Sequence, residues 1–407
     1  MARMKWNSSY KLDCTVQDYA WGMKGEQAYI SNLLGQSADE TPKAELWMGA
    51  HVKAPSLLNG VSLLELIQNE PEAILGSESH QKWGKMLPYL FKILSANEAL
   101  SIQLHPNKQE AEMLHAKDPE HYPDDNHKPE IAIALDQLEA LVGFEPFNQL
   151  VEDLNNYPEI VSFLGADVMT QLNLATSHND DTKLRALKTA FVALNLSALS
   201  KKTELKILSK SLFENLNALE ETTPKEKWYL ELYPKYSEGD VGLFAIFFLN
   251  YCVLEEGQAV FLKADVPHAY LRGNIIECMA NSDNVVRAGL TPKFVDVENL
   301  AAITQYELEP LPVQTANDNG FGGKVFQTPV QEFEVHTFEA DQTTEKFDLS
   351  QWSTGAAIGI LLKGEANFQG ESMSYKKGEV MLIPDSANLQ LNLKPDSKIA
   401  FAKPNIK

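Results

Sequence analysis

The sequence predicts a mainly β protein in which a helical insertion interrupts the first β region and a second β-rich unit follows. Short apolar or alternating runs broken by Gly, Pro and Asn, such as LPYLFKILS (87–95), are typical of strands. Between about 150 and 232, leucines recur at helical spacing instead, for example Leu184, Leu187 and Leu194. Strands return after this segment and continue towards residue 407.

These changes of pattern divide the chain into four segments. A chain of 407 residues is expected to form several domains. We predict a main β domain built from residues 1–149 and 237–315, a helical domain at 150–236, and a C-terminal β domain at 316–407.

Composition and charge exclude several classes of protein. The 56 acidic residues against 35 Lys and Arg give a formal net charge of −21, which argues against a general binder of nucleic-acid phosphates. The longest apolar run, VGLFAIFFLNYCVL (241–254), is interrupted by Asn250 and is shorter than the roughly 20 residues of a membrane span. The first residues contain no apolar stretch of the signal-peptide type. We therefore expect a cytoplasmic protein without nucleic-acid or membrane partners.

Two segments of the β regions share one spacing. Gly257 and Gly378 are each followed by five strand residues and a turn, and His268 and Leu389 occupy the eleventh position after the glycine. This spacing is similar to the second motif of the cupin jelly roll, in which that position carries a metal-ligating histidine. The resemblance implies that the main β domain is a cupin jelly roll able to hold a metal, and that the C-terminal domain is a degenerate cupin-like unit.

Gln103 and His105 are the first candidate metal ligands. Residues two apart in a strand project to the same face, which suits two ligands of one ion, although a satisfied polar pair at a strand end is the alternative. Two acids compete to complete the site. Glu110 fits the usual cupin spacing with Gln103 in place of the first histidine, whereas Glu130 directly precedes the apolar strand IAIAL. Imidazole with carboxylate or amide oxygen suits zinc, and the absence of thiolates favours a catalytic site.

Five motifs in order give the sequence a close resemblance to the type I mannose-6-phosphate isomerases, a zinc-dependent family. They are VQDYAWG (16–22), AELWMGAHVKAPS (44–56), LPYLFKILSANEALSIQLHPNK (87–108), DDNHKPEIAIAL (124–135) and PHAYLRGNIIECMANSDNVVRAGLTPKFVDVENL (267–300). The resemblance implies reversible interconversion of D-mannose 6-phosphate and D-fructose 6-phosphate through a cis-enediol. It also implies that the main β domain is the catalytic domain.

Carried over by motif, the family's zinc ligands fall on Gln103, His105, Glu130 and His268, with one Zn²⁺ per chain. The resemblance thus favours Glu130 over Glu110, which would become a solvated helix residue.

The family's catalytic arginine falls on Arg287, whose permanent charge suits stabilisation of a developing oxyanion. An ion pair with Asp283 is the alternative interpretation. The general base is open: we expect Lys128 and Asp283 to handle protons and substrate hydroxyls, His127 to orient the ligand-bearing segment, and Glu277 to be the main rival base.

The substrate expected from the resemblance is a small sugar phosphate, bound by a monomer. Lys92, Arg287 and Lys293 are the motif cations available for its phosphate, and Trp21 is a candidate pocket wall that core packing explains equally well. Two rival functions remain: a non-catalytic metal or sugar-phosphate binder, and a zinc cupin isomerase of another aldose phosphate. The presence of Arg287, Lys128 and all four ligand residues speaks against the first.

Overall fold

The computed structural model describes residues 5–350, 352, 355–385 and 387–406. Its first part alternates short strands and short helices. The elements before residue 147 are β1 (Tyr10–Leu12), β2 (Thr15–Gln17), a 3-10 turn (Gly25–Gln27), α1 (Tyr29–Leu33), β3 (Glu45–Met48), β4 (Leu57–Leu58), β5 (Val61–Ser62), α2 (Leu63–Asn69), α3 (Pro71–Leu75), α4 (Ser77–Trp83), β6 (Tyr89–Ala96), β7 (Ile102–Leu104), α5 (Lys108–Lys117), β8 (Glu130–Ala134) and β9 (Leu138–Phe144).

Helices then occupy one continuous segment. They are α6 (Phe147–Asn155), α7 (Pro158–Leu164), α8 (Ala166–Ala175), α9 (Asp180–Ser200), α10 (Lys202–Asn217), α11 (Pro224–Tyr236), α12 (Gly242–Ala245) and a 3-10 turn (Ile246–Phe248). The start of α11 shows why the sequence folds this way locally. Thr223 and Glu226 form a reciprocal capping box around Pro224, which occupies the first turn where a missing N–H costs nothing.

Strands return after the helices. The elements are β10 (Leu249–Leu254), β11 (Gln258–Leu262), β12 (His268–Ala280), β13 (Val286–Gly289), α13 (Val297–Ile303), β14 (Val313–Thr315), β15 (Asn317–Asp318), β16 (Lys324–Phe326), β17 (Glu334–Ala340), β18 (Glu345–Asp348), β19 (Ala357–Lys363), β20 (Glu365–Phe368), β21 (Ser374–Lys376), β22 (Val380–Ile383), β23 (Gln390–Leu393) and β24 (Ser397–Lys403).

The long strand β12 organises the main sheet of eleven strands. Its second half pairs with β6 and β8, within the strand order β14-β11-β8-β12-β6-β3-β2, and its first half pairs with β7 and β9. Gly273 separates the two halves with φ +133°, and a Cβ there would lie 2.5 Å from the Gln137 carbonyl oxygen. Only glycine therefore allows one strand to serve both parts of the sheet.

The C-terminal region forms two further sheets. One has the order β1-β22-β19-β24-β17-β16-β15 and the other β18-β23-β20-β21, with a shared apolar core that includes Phe338, Leu389 and Phe401. Strand β1 pairs with β22 in the register Tyr10↔Leu382, so a segment from the start of the chain completes this sheet. Of the frame that begins at Gly378, Ser386 lies outside the described residues.

A second apolar core joins this region to the main β domain. Phe91 and Ile131 of the main sheet belong to one buried cluster with Phe333 and Ile358 of the C-terminal region. The Tyr89 hydroxyl crosses the same boundary and donates to the carbonyls of Ala356 and Ala402. Within the described part of the chain, no helix has the length and apolar character needed to traverse a membrane.

Candidate active site and metal centre

Three buried side chains converge at one end of the main sheet. His105 follows β7, Glu130 begins β8 and His268 begins β12, and their ligand atoms all lie within 4.8 Å of one another. Each of the three is at most 2% exposed. Strand register brings the three segments together: Glu130 pairs with Leu262 at the end of β11, shortly before His268, and His268 pairs with Gln103, shortly before His105.

Backbone carbonyls fix the orientation of both imidazoles. His105 Nδ1 lies 2.8 Å from the Asn284 carbonyl oxygen, and His268 Nδ1 lies 2.9 Å from that of Val266. A carbonyl can only accept, so each Nδ1 carries the proton and each Nε2 presents its lone pair. Burial and the charge of Lys128 lower the pKa of His105 to about 4, which keeps the imidazole neutral, as a metal ligand must be.

The Glu130 carboxylate is held ionised in the middle of this cluster. Burial raises its pKa, but neighbouring groups, above all the positive charge of Lys128, outweigh burial and hold the pKa well below its usual range. Lys128 Nζ lies 3.2 Å from Glu130 Oε2, and the Tyr270 hydroxyl donates to Oε1 at 2.8 Å. The carboxylate is therefore available as an anionic ligand.

Gln103 and Arg287 reach the same place through strand register. Gln103 of β7 is the register partner of His268 on one side and of Arg287 of β13 on the other. Both side chains are half-buried. The structure thus places the predicted amide ligand next to the histidine that begins β12, and the predicted catalytic arginine next to that amide on its other side.

The donor set fits a divalent metal ion. Glu130 Oε2 and His268 Nε2 are buried and make no hydrogen bond among the described residues. They lie 3.2–3.3 Å from neighbouring site atoms, but without hydrogen-bond alignment. Unpaired buried polar atoms are costly, and two imidazole nitrogens with a carboxylate are common zinc donors. The cluster therefore meets the chemical requirements of a zinc site.

A second charged group lies further along the same sheet. Glu277 of β12, Lys92 of β6 and Trp47 of β3 occupy one register row. Lys92 Nζ lies 2.8 Å from Glu277 Oε2 and 3.7 Å from Glu45 Oε2, which also accepts from Trp47 Nε1 at 2.5 Å.

These buried groups set each other's protonation. Burial lowers the pKa of Lys92, but the carboxylates of Glu277 and Glu45 outweigh burial and raise the pKa above its usual value. Burial raises the pKa of Glu277, against the opposing charge of Lys92. Lys92 is therefore engaged by two carboxylates, which makes it a weaker candidate for holding a phosphate than the sequence suggested.

Asp283 is paired outside the metal cluster. Its carboxylate contacts Lys53 Nζ at 2.8 Å and His51 Nε2 at 3.4 Å. Burial raises its pKa, but the hydrogen bonds and charges of His51 and Lys53 hold the pKa well below its usual range. Within the described residues no ion pair joins Asp283 to Arg287, so the ion-pair interpretation of Arg287 is wrong.

The remaining predicted residues make their contacts outside the metal cluster. His127 contacts Glu332 of the C-terminal region, with Nε2 2.9 Å from Oε1. Lys293 is exposed. Trp21 is half-buried, stacks on Tyr19 with ring centroids 5.8 Å apart, and packs against the apolar interior of the main sheet.

One expectation needs correction. The resemblance implied that Glu110 would be solvated, but it is half-buried and forms a capping box with Asn107 at the start of α5. It also interacts with Asp265, and burial together with Glu110 raises the pKa of Asp265 to about 8. Helix capping therefore explains the acid that the cupin spacing first suggested as a ligand.

Sequence reasoning missed three residues that shape the site. They are Tyr270, which bonds Glu130; Asn284, whose carbonyl orients His105; and Glu45, which shares Lys92 with Glu277. Strand alternation could have found Tyr270, because it lies two residues after His268 in the same strand. The other two depend on contacts between distant segments.

Comparison with known proteins identifies the class of protein to which the chain is similar. Residues 9–147 match the family model "Phosphomannose isomerase type I, catalytic domain". Solved phosphomannose isomerases share the fold: a lysine-to-alanine variant from Salmonella typhimurium is 31% identical, covers 98% of this chain and 100% of that chain, and superimposes with a TM-score of 0.84. A zinc-bound mannose 6-phosphate isomerase gives 0.83 at 31% identity, with the same coverage of both chains. Fold and site thus define a sheet-rich isomerase of the cupin class, which confirms the coarse fold prediction.

Curated relatives identify the family more closely. Mannose-6-phosphate isomerase of Rattus norvegicus is 38% identical, and the match covers 94% of this chain and 95% of that protein. The Homo sapiens enzyme is also 38% identical with the same coverage. The Eremothecium gossypii enzyme is 37% identical over 97% of this chain and 99% of that protein. The chain belongs to the mannose-6-phosphate isomerase family, and the predicted enzyme class is confirmed.

Proposed function

We propose that this chain catalyses the reversible isomerisation of D-mannose 6-phosphate and D-fructose 6-phosphate at the cluster of His105, Glu130 and His268. The observation that carries the proposal is this buried cluster, with both imidazoles oriented by carbonyls and two ligand atoms without hydrogen bonds. Similarity to mannose-6-phosphate isomerases over more than nine-tenths of the chain supports the choice of substrate.

The proposed cofactor is one zinc ion per chain, held by His105, Glu130, His268 and Gln103. When bound, zinc supplies positive charge that polarises substrate oxygens. The zinc-bound mannose 6-phosphate isomerase among the similar structures supports this metal. Arg287, next to Gln103 in register, supplies a second and permanent positive charge to the developing enediolate oxygen.

Proton transfer is assigned to Lys128, with Asp283 binding substrate hydroxyls. A base removes the C2 proton of the aldose while O1 gains a proton, which gives the cis-enediol. O2 then loses its proton while C1 gains one, which gives the ketose, so no redox cofactor is required. Lys128 Nζ lies 3.2 Å from both His105 Nε2 and Glu130 Oε2, at the cluster itself. The low pKa of Asp283 suits a hydrogen-bond acceptor better than a base. Glu277, with its raised pKa, remains the rival base.

The rest of the proposal concerns binding and organisation. Lys293 and Arg287 are the cations proposed for the phosphate, and Trp21 forms a pocket wall. We propose a monomeric, cytoplasmic enzyme with a catalytic cupin domain (1–149 and 237–315), a helical domain (150–236) and a degenerate cupin-like C-terminal domain (316–407). In that last domain Leu389, buried in apolar surroundings, takes the position that His268 has in the first frame.

A chelator experiment tests the activity. The purified protein should convert mannose 6-phosphate to fructose 6-phosphate, lose this activity on prolonged treatment with a chelator, and regain it with added zinc. A protein that binds zinc but does not convert the substrate would overturn the proposed function.

Deuterium exchange at C2 identifies the base. If Glu277→Ala alone abolishes exchange while Lys128→Ala and Asp283→Ala retain it, the assignment to Lys128 is wrong.

A further inference from the structure

We infer that Glu332, in the C-terminal region, is a positioning residue of the active site that acts through His127. The inference rests on the proposed function, because it concerns the geometry of the same site. It begins from one contact that joins residues 205 positions apart: His127 Nε2 and Glu332 Oε1 at 2.9 Å. Both side chains are largely buried, with 23% and 16% of their surface exposed.

The contact is made by a well-fixed loop. Phe333 next to Glu332 is fully buried in the core that joins the two β regions. Asn405 fastens the loop from behind: its backbone N–H donates to the Gln331 carbonyl at 2.9 Å, and its side chain donates to the carbonyls of Thr328 and Val330 at 3.1 Å. The backbone that carries Glu332 is therefore held in place on both sides.

On the other side, His127 belongs to the segment that carries Lys128 and Glu130. The residue before it is anchored to the catalytic domain, because the Asn126 carbonyl accepts from Ser282 Oγ and Asn284 Nδ2. The residue two positions after it is anchored as well, since the Ala280 N–H donates to the Pro129 carbonyl at 3.0 Å. Between these two anchors, Glu332 holds the imidazole of His127. This contact restricts the backbone conformation at His127 and thereby the direction of the neighbouring Lys128 side chain.

The charges at the contact are consistent with an ordered pair. Burial raises the pKa of Glu332, but the hydrogen bond from His127 outweighs burial and lowers the pKa, so the carboxylate is ionised at neutral pH. A carboxylate accepts only, so His127 keeps its proton on Nε2. Carboxylates that orient histidines around metal sites are common, and their loss typically costs about 10- to 100-fold in metal affinity or activity.

The test compares two carboxylates that both join the catalytic and C-terminal regions. Glu332→Gln removes the charge next to His127. Glu256→Gln is the matched control, because Glu256 pairs with Lys398 at 3.3 Å across the same boundary without touching residues 126–130. We expect Glu332→Gln to lower kcat about tenfold with KM and zinc content little changed, Glu332→Asp to restore most of it, and Glu256→Gln to leave kcat within twofold.

A double-mutant cycle and a spectroscopic measurement separate positioning from simple stabilisation. In a His127→Gln background, Glu332→Gln should lower kcat by less than a further twofold. Nitrogen NMR of the imidazole should show a single Nε2–H tautomer in the wild type and a mixture in Glu332→Gln. The inference fails if Glu332→Gln keeps wild-type kcat, or if its loss persists undiminished without His127. Because every value is relative to the wild type, failure of the proposed activity would show separately, in the wild type itself.

Discussion

The main β domain and the C-terminal region are both built from packed antiparallel sheets, yet the chemistry of their main interiors differs. The first buries charged groups, among them Lys92, Glu130 and Glu277, each at most 6% exposed. The second is lined by apolar side chains such as Phe338 and Phe401. Burying an ion costs several kcal/mol even after relaxation, so only a region with a chemical task is expected to accept that cost repeatedly.

The two glycine-initiated frames show the same contrast at one position. His268 ends the first frame within the metal cluster, and Leu389 ends the second within an apolar core. A shared spacing of glycine, strand and turn thus indicates a shared architecture. The residue type at the last position of the frame indicates whether that position serves metal binding or core packing. Four experiments can break or sharpen this contrast.

The largest effect is expected at the ligand carboxylate. Glu130→Gln should abolish stable zinc binding and lower kcat/KM about a thousandfold, since zinc supplies several kcal/mol of charge stabilisation and about 4 kcal/mol corresponds to that factor. Metal analysis and isomerisation kinetics measure both quantities. Glu110→Gln is the control, because glutamine can still close the capping box on Asn107. Zinc retained by Glu130→Gln but lost by Glu110→Gln would reverse the ligand assignment.

The next largest effect is expected on the stability of the fold when the buried lysine is replaced. Lys92→Met leaves Glu277 and Glu45 buried without their shared cation, so the free energy of unfolding should fall by about 3–5 kcal/mol. Denaturant titration provides the measurement. Adding Glu277→Gln should recover part of the loss, because it removes one uncompensated charge. No recovery in the double variant would show that packing around Trp47, rather than charge, dominates.

In the C-terminal region a comparable loss of stability should leave the chemistry untouched. Leu389 is 6% exposed in an apolar core, so Leu389→Ala should lower the free energy of unfolding by about 3 kcal/mol. The kcat/KM of the folded variant should stay within about twofold of the wild type. A tenfold fall in kcat/KM at full folding would contradict the contrast between the two interiors.

The smallest effect concerns a group of polar residues inside that region. Glu334 Oε1 lies 3.0 Å from His336 Nε2 and 3.2 Å from Lys403 Nζ. Burial raises the pKa of Glu334, but His336 and Lys403 lower it overall. A lowered folded-state pKa contributes stability above the usual glutamate pKa and loses it as the pH falls through the folded value.

Glu334→Gln should therefore lower the free energy of unfolding at pH 7 by about 1 kcal/mol, and the difference from wild type should shrink as the pH is lowered towards 3. Urea titrations at several pH values measure it. A difference that stays constant with pH would mean that the carboxylate's charge is not what stabilises the wild type.

Many of the helices and strands, and some of the candidate ligands, can be predicted from local sequence. Alternation places Gln103 and His105 on one strand face, and leucine spacing predicts helices where α9 and α10 lie. The apolar run after Glu130 predicts the strand that it begins. These features depend on periodicity within a few residues, which is what a single sequence records.

Contacts between distant segments could not be predicted in the same way. Nothing near Lys92 indicates that Glu45 and Glu277 flank it, because strand order β3-β6-β12 brings them together. His127 gives no local sign of Glu332, and a residue count from His105 suggested Glu110 although the chain uses that acid to cap a helix. Spacing arguments fail when two explanations fit the same interval and only the fold distinguishes them.

The pairing of β1 with β22 has a consequence for how the protein is made. Tyr10 meets Leu382, so the edge of the C-terminal sheet joins segments from nearly opposite ends of the polypeptide. At a synthesis rate of roughly 5–20 residues per second, β1 emerges about 20–70 seconds before its partner exists. For that interval β1 must stay free of other partners, which exposes this sheet edge to misassembly in the nascent protein.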